Sequence, residues 1–409
     1  MGITQIRIST LAIGQSQGSD EREMGTKDNT YIETYTDKKN LIFLLAWIVY
    51  LLSMGFENTS FRISADAILQ YMRYAAYALC VVKIVLTKHY DKKGMLLFAF
   101  FFFIALVQSF VTGKREICFM LLFLLAAYGV NVSQIFLAQC LTQMFCLLTV
   151  WGLCACGLLE NLEFYDHGTI RYSMGFIYVS NACFLFFSLE AAWLYFRRKE
   201  MKLLEILIIL VIWGAIYYAT DTRTMTILGL IMALMCYLVR FWNRSWKNTF
   251  TKWVCILLSP CIVIFTWLLQ FYYNRHSTTK WMVRLNSALN GRLRLAKQAM
   301  ENYSVRLFGQ KITWVGNTVN LNRNKYNFVD CAYIKILLDW GILISILFLI
   351  LYMYLMYYFW KKEVMEGCMI VFMFLVCGFM LPVLTNIDVN PFLILAGGMF
   401  HGKTKVHQT

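Results

Sequence analysis

Apolar residues run through this chain in unbroken blocks near helix length, separated by short polar turns. The blocks fall at 41–56, 65–86, 94–112, 116–130, 133–159, 175–196, 203–220, 224–241, 253–273, 332–360, 368–385 and 389–401. Most approach the roughly 20 residues that a helix needs to cross a bilayer core, and none has the ten-residue alternation of a barrel strand. The pattern predicts an all-α integral membrane protein with about twelve transmembrane helices. The last block is short and closely follows Pro391, so it is read either as a span or as a re-entrant segment. Two long polar stretches stand outside the blocks: residues 1–40, read as a tail, and residues 274–331, read as one large loop. Residues 402–409 form a second short tail.

Within the large loop, 281–303 reads as a helix broken or bent at Asn290-Gly291. Leu289, Leu293, Ala296 and Met300 fall on one stripe at amphipathic spacing. Arg292 lies at the edge of that stripe and is expected to face the protein or a substrate. Arg294, Lys297 and Glu301 lie on the other face, with Lys297 and Glu301 spaced to pair at i, i+4.

Composition supports the membrane reading. Of 409 residues, 59% are hydrophobic and 15% charged, against about 45–50% and about 25% in soluble domains. The mean hydropathy is +0.57. Most of the 13 cysteines lie inside apolar blocks, where they act as small hydrophobes, so no disulfide framework is expected. The five histidines are far apart without ligand-like spacing, and neither a structural metal nor a cofactor is expected.

The net charge of +15 acquires meaning once it is divided by side. With the N-terminus inside, seventeen Lys or Arg fall in inner loops and tails, against five in outer short loops: Arg62, Lys114, Arg115, Arg171 and Arg223. That bias predicts cytoplasmic N- and C-termini in the cell membrane. It also places the large loop outside, with ten Lys or Arg in 274–330 against two acids, Glu301 and Asp330. Cationic charge placed against the usual bias points to an anionic partner. Nucleic acid is set aside, because the loop is external and its aromatics do not interleave as a stacking platform. Membrane lipid and an anionic, lipid-linked substrate remain. Arg73, inside a block, faces either a cavity or lipid phosphate, whereas Lys83, near an inner end, is expected to snorkel.

Several short motifs resemble those of bacterial Wzy-type polysaccharide polymerases, in the O-antigen polymerase and ligase superfamily. Arg171-Tyr172-Ser173-Met174-Gly175-Phe176 followed by Asn181 is similar to an Arg…Gly-Phe-His-Pro-Asn stretch, without its His-Pro. Thr222-Arg223-Thr224 resembles a Ser-Arg-Thr turn, and Asn290-Gly291-Arg292-Leu293 a Ser-Gly-Arg element with a following Gly at Leu307-Phe308-Gly309. Val329-Asp330-Cys331-Ala332-Tyr333-Ile334, running on to Asp339-Trp340-Gly341, is similar to the superfamily's His-Asn-x-Tyr-Leu-Gln…Glu-x-Gly stretch. Asp in place of His at 330 resembles Gram-positive-type members.

The resemblance implies metal-independent, inverting glycosyl transfer on the outer face. A hydroxyl of one undecaprenyl-diphosphate-linked repeat unit attacks the anomeric carbon of the glycan on another, building a capsule, exopolysaccharide or O-antigen-like polymer. Membrane lipid, a flippase and a chain-length regulator of the same pathway are the implied partners. Arg forks bind diphosphate oxygens bidentately and stabilise the leaving charge. Arg171, Arg223 and Arg292 are expected in that role, with Arg73 and Arg115 as further donors. Asp330 is expected either as the base for the acceptor hydroxyl or as an ion-pair partner or helix cap. Asn181 is expected to bind sugar or satisfy a buried backbone group, and Tyr333 to contact sugar or lipid. A ligase passing finished glycan to another acceptor, and a lipid-linked oligosaccharide flippase or other transporter, are the alternatives.

Overall fold

In the computed structural model, the described residues are 38–87, 90–166, 168–241, 246–316 and 326–400. Most of the expected N-terminal tail and all of the C-terminal tail lie outside them. Lys38–Asn40, expected in the tail, begin the first helix instead.

The chain is predominantly helical. Seven helices are long and apolar enough to cross a membrane: α1 (Lys38–Glu57), α2 (Arg62–Leu86), α3 (Lys92–Thr112), α5 (Val132–Ala155), α7 (Leu203–Thr220), α9 (Thr249–His276) and α13 (Gly341–Lys362). Three apolar elements approach that length: α6 (Asn181–Arg197), α8 (Arg223–Val239) and α14 (Met365–Met380). Shorter helices are α4 (Glu116–Ala126), α10 (Lys280–Ala288), α11 (Arg292–Asn302) and α12 (Ala332–Asp339).

Several expected boundaries move. The block at 332–360 is two helices, because Trp340-Gly341 turns the chain between α12 and α13. Gly341 has φ +85 and lies backbone to backbone against Gly309, whose φ is +77, and a Cβ on either would collide with the other strand of backbone. Ile342 and Leu343 donate N–H bonds to the Arg306 and Leu307 carbonyls at 3.1 and 3.2 Å. The block at 175–196 becomes helical only at Asn181, which is therefore the first residue of α6 and not a residue inside a span. The final block is a 3₁₀ helix, Pro391–Phe400. At about 2.0 Å per residue it reaches roughly 20 Å, short of a bilayer core of about 30 Å. The polar stretch after α5 holds a small antiparallel hairpin, β1 (Glu163–Asp166) and β2 (Thr169–Tyr172), so the fold is not wholly helical.

Inside a bilayer, helices associate through close packing and polar contacts more than through hydrophobicity. The packing here follows that rule. The 3₁₀ helix and α4 are apolar all round and pack together, with Gly397 against the Leu124 backbone. Phe392 sits among Phe136, Tyr195, Phe359 and Phe374, with ring centroids 4.7–6.2 Å away. A Cβ at Gly229 would overlap the buried Trp213 ring, so α7 and α8 approach closely there. Lys83 does not snorkel: it is 1% exposed and donates to the Tyr128 carbonyl just beyond the end of α4. Carbonyls at helix ends lack intrahelical donors and attract cations, which explains this placement.

Candidate functional site

A cavity of about 800 Å³ opens at one end of the bundle. Its wall is built from the C-terminal part of α1, the middle of α2, the α3–α4 turn, one side of α12 and the 381–390 loop before the 3₁₀ helix. These segments meet because α1, α3 and α14 run toward this end and α2 and α4 run away from it, so their turns share one level. Under the orientation favoured by charge bias, that level is external.

The cavity is not simply cationic. Arg73, Lys114, Arg115 and Lys335 line it together with Glu57, Glu116, Asp339 and Asp388. Most of these charges are paired. Arg73 bonds to Glu57 across α1 and α2. Asp339, 4% exposed in its side chain, accepts from Lys114 at 2.7 Å and Lys335 at 2.7 Å. Trp314 Nε1 donates to both Asp339 oxygens at 2.8 and 2.9 Å. The Asp339 hub thus pins the segment carrying Trp314, the α3–α4 turn and α12 to one another.

Aromatic and amide groups complete the lining. Tyr50, Tyr74, Tyr77, Phe119, Phe328 and Trp340 contribute rings, and Gln70 and Asn386 contribute amides. Tyr77 and Phe119 stack with centroids 3.9 Å apart. A cavity of this size with aromatic walls and a few convergent polar groups can hold an organic ligand of several rings. Among the described residues, no three His, Cys, Asp or Glu side chains gather to hold a metal ion.

Asp388 was not singled out in the sequence. It lines the cavity, half-buried, and among the described residues no cation lies within ion-pair distance of it. Its backbone carbonyl accepts from Gln139 Nε2 at 2.7 Å, Gln143 Nε2 at 2.8 Å and Ser188 Oγ at 3.1 Å. Burial, reinforced by the Glu57 charge, pushes the Asp388 carboxyl from 3.8 up to about 6. A lone Asp in an apolar stretch gives no sign of this, since its partners are 200 or more residues away.

The expected site residues divide. Arg73 and Arg115 lie in the cavity wall; Arg171, Arg223, Arg292, Asp330, Asn181 and Tyr333 do not. Arg292 and Asp330 form an ion pair at 3.4 Å, both side chains largely buried. Burial raises the Asp330 pKa while Arg292 opposes the rise. The same corner holds Tyr326, whose hydroxyl pKa is raised by burial and further by Asp330 and Tyr178, with Arg292 opposing. Arg171 Nε donates to the Thr220 carbonyl at 2.8 Å, where the neighbouring Thr222 hydroxyl meets Cys183 at 2.7 Å. Arg223 is 71% exposed and pairs with Asp221 at 3.2 Å. Asn181 Nδ2 donates to the Asn58 carbonyl at 3.4 Å. Tyr333 is turned into the bundle, its hydroxyl donating to the Leu375 carbonyl at 2.7 Å.

The loop helices match the amphipathic reading. The chain breaks between α10 and α11 at Asn290-Gly291, both with positive φ. Leu289, Leu293 and Ala296 are buried, Arg294 is exposed, and Lys297 meets Glu301 at 3.9 Å. Of this loop, however, only Phe328 among the described residues reaches the cavity wall.

Comparison with models of known protein families, with curated proteins and with solved structures gave no match to this chain.

Proposed function

We propose that the protein is a membrane glycosyltransferase that polymerises undecaprenyl-diphosphate-linked repeat units at the outer face of the cell membrane. The observation that carries the reading is the 800 Å³ cavity, with its aromatic, amide and balanced charged lining. Such a lining suits sugar rings, which present apolar faces and many hydroxyls. The balance of acids and bases argues against a purely anionic ligand in the cavity itself. The diphosphate is assigned to donors around it: Arg73 and Arg115 in the wall, and Arg171, Arg223 and Arg292 at the same end of the bundle. About twelve membrane segments with both termini cytoplasmic accompany this reading; counting the short α4 and the 3₁₀ helix as full crossings is part of the proposal.

The test is reconstitution of the purified chain in vesicles with a synthetic lipid-linked repeat unit, with and without chelator. A ladder of polymer in both is expected. No product beyond single repeat units refutes the reading, and transfer to a different acceptor redirects it to a ligase.

Transport has one observation in its favour. Short α4 and the 3₁₀ helix are buried in the bundle, and the N-terminal end of α4 and the loop leading into the 3₁₀ helix line the cavity, an arrangement like that of broken helices around transporter substrates. Movement of a fluorescent lipid-linked oligosaccharide across the vesicle bilayer, without new glycosidic bonds, selects that alternative.

A further inference from the structure

We propose that Asp388 is the base that accepts the acceptor hydroxyl's proton in this glycosyl transfer, and that Gln139, Gln143 and Ser188 are positioning residues that hold it. The assignment rests on the glycosyltransferase reading above.

Location comes first. The 381–390 loop crosses the cavity wall between α14 and the 3₁₀ helix, and Asp388 is one of its lining residues. Glu57 and Tyr50 from α1, and Tyr77 from α2, are the titratable groups that sense it, and Arg73, paired with Glu57, lines the same wall. Glu116 stands at the α3–α4 turn on the same wall. The other cavity acids are less suited. Glu57 and Asp339 are tied to cations, and Glu116 is solvent-exposed. A base must reach the hydroxyl without first breaking an ion pair, and Asp388 meets that condition.

Support for the loop is the second observation. Gln139, Gln143 and Ser188 are 0%, 1% and 0% exposed, and all three donate to the one Asp388 carbonyl. Burying polar side chains at membrane depth is costly unless they are bonded. The turn does not need them to close, because Asn390 and Val389 already donate to the Asn386 carbonyl at 2.7 and 3.1 Å. What the extra donors fix is the position of residue 388. Preorganisation of this kind is what a reacting group requires.

The chemistry balances. The acceptor O–H proton moves to the Asp388 carboxylate as the acceptor oxygen bonds the anomeric carbon. The bond from that carbon to the diphosphate oxygen breaks, and its electron pair leaves with undecaprenyl diphosphate. Asp388 then returns the proton to water. A carboxyl held near 6 is ionised at neutral pH yet more basic than an ordinary carboxylate, which suits proton abstraction.

The experiment uses the full chain in vesicles with the synthetic lipid-linked repeat unit. Asp388→Asn is expected to lose about 10²–10⁴ in rate while still binding undecaprenyl diphosphate. In the wild type, kcat/KM is expected to fall on acidification through about pH 6. Asp388→Glu should keep partial activity with that limb displaced, and this variant decides the matter if Asp388→Asn fails to fold. Gln139→Leu with Gln143→Leu should lower the rate and move the limb toward the ordinary carboxylate range, a shift that a purely structural role would not produce. Full activity of Asp388→Asn beside an active wild type overturns the assignment. So does loss of activity in Glu116→Gln or Asp330→Asn with the acid limb intact in Asp388→Asn. An inactive wild type refutes the glycosyltransferase reading instead, and the base assignment with it.

Discussion

Replacing Asp339 by leucine tests whether one buried carboxylate holds the Trp314 segment onto the bundle. Leucine keeps the heavy-atom count and branching of aspartate and removes the acceptor for Lys114, Lys335 and the Trp314 indole. At 2.7 Å each lysine pair is worth about 6 kcal/mol of gross attraction at an effective dielectric constant of about 20, before desolvation is subtracted. Breaking a buried pair by removing one partner typically costs about 3–5 kcal/mol, and an orphaned indole N–H about 1–3 kcal/mol. Both lysines retain about a fifth of their exposure, so water recovers part of the loss. A local destabilisation of about 3 kcal/mol follows, or roughly a hundredfold in the opening equilibrium. Amide hydrogen exchange across residues 304–316 reads that opening directly. The triple variant with Lys114→Met and Lys335→Met should restore most of the protection, since no cation is then left without its counter-ion. Unchanged exchange in the single variant refutes the hub; a triple variant as open as the single one assigns the effect to the Trp314 bond.

The Asp388 carboxyl is raised from 3.8 to about 6, so the stability it contributes is full below pH 3.8 and lost as pH rises through 6. Asp388→Asn should therefore raise thermal stability at pH 7.5 by up to about 3 kcal/mol, with the gain closing toward pH 4; destabilisation at neutral pH would show a structural carboxylate. Gly309→Ala should sharply reduce the yield of folded protein, because the new Cβ meets the Asp339 carbonyl and φ is +77; a normal yield removes the backbone contact from the account. Arg292→Ala and Arg223→Ala should leave the protein in the membrane but shorten cellular polymer to single repeat units, and normal chain length in both argues against the diphosphate role. Neutralising Lys280, Arg284 and Arg294 to Gln should raise KM and flatten its salt dependence with kcat unchanged, as expected for exposed charges that steer an anionic substrate. An unchanged KM leaves those cations without a part in encounter.

The membrane character was legible because it rests on a local signal. Unbroken apolar runs predict helices whatever their neighbours, and α1, α2, α3, α5, α7, α9 and α13 lie where the runs do. The amphipathic loop helix was equally readable, down to the break at Asn290-Gly291 and the inward side of Arg292. What local pattern could not supply was depth. The run at 332–360 gives no hint of a turn at Gly341, since that turn exists for the sake of Gly309, more than 30 residues earlier. Ten apolar residues at Pro391–Phe400 look like the end of a span until the cavity above and α4 beside them are known. Asp388 and Asp339 were illegible for the same reason: their partners come from helices far away in sequence.

Sequence emphasis on cations gave the wrong weight to charge as such. The ten basic residues of 274–330 suggested that this loop walls the binding site, yet its described cations lie outside the cavity. Inside, cations and carboxylates are equal in number, and most neutralise one another as scaffolding. On the proposed function, the loop's surplus of cations over acids can gather an anionic lipid-linked substrate from a distance. Close to the reacting atoms the requirement reverses. The glycosyl transfer proposed above would require a proton to move, and a carboxylate locked to lysine is a poor acceptor for it. The group left for that step is Asp388, whose backbone carbonyl takes three side-chain bonds and which, among the described residues, has no cation within ion-pair distance. On that argument the site is defined less by where positive charge accumulates than by the single half-buried acid in the cavity that the charge network leaves unpaired.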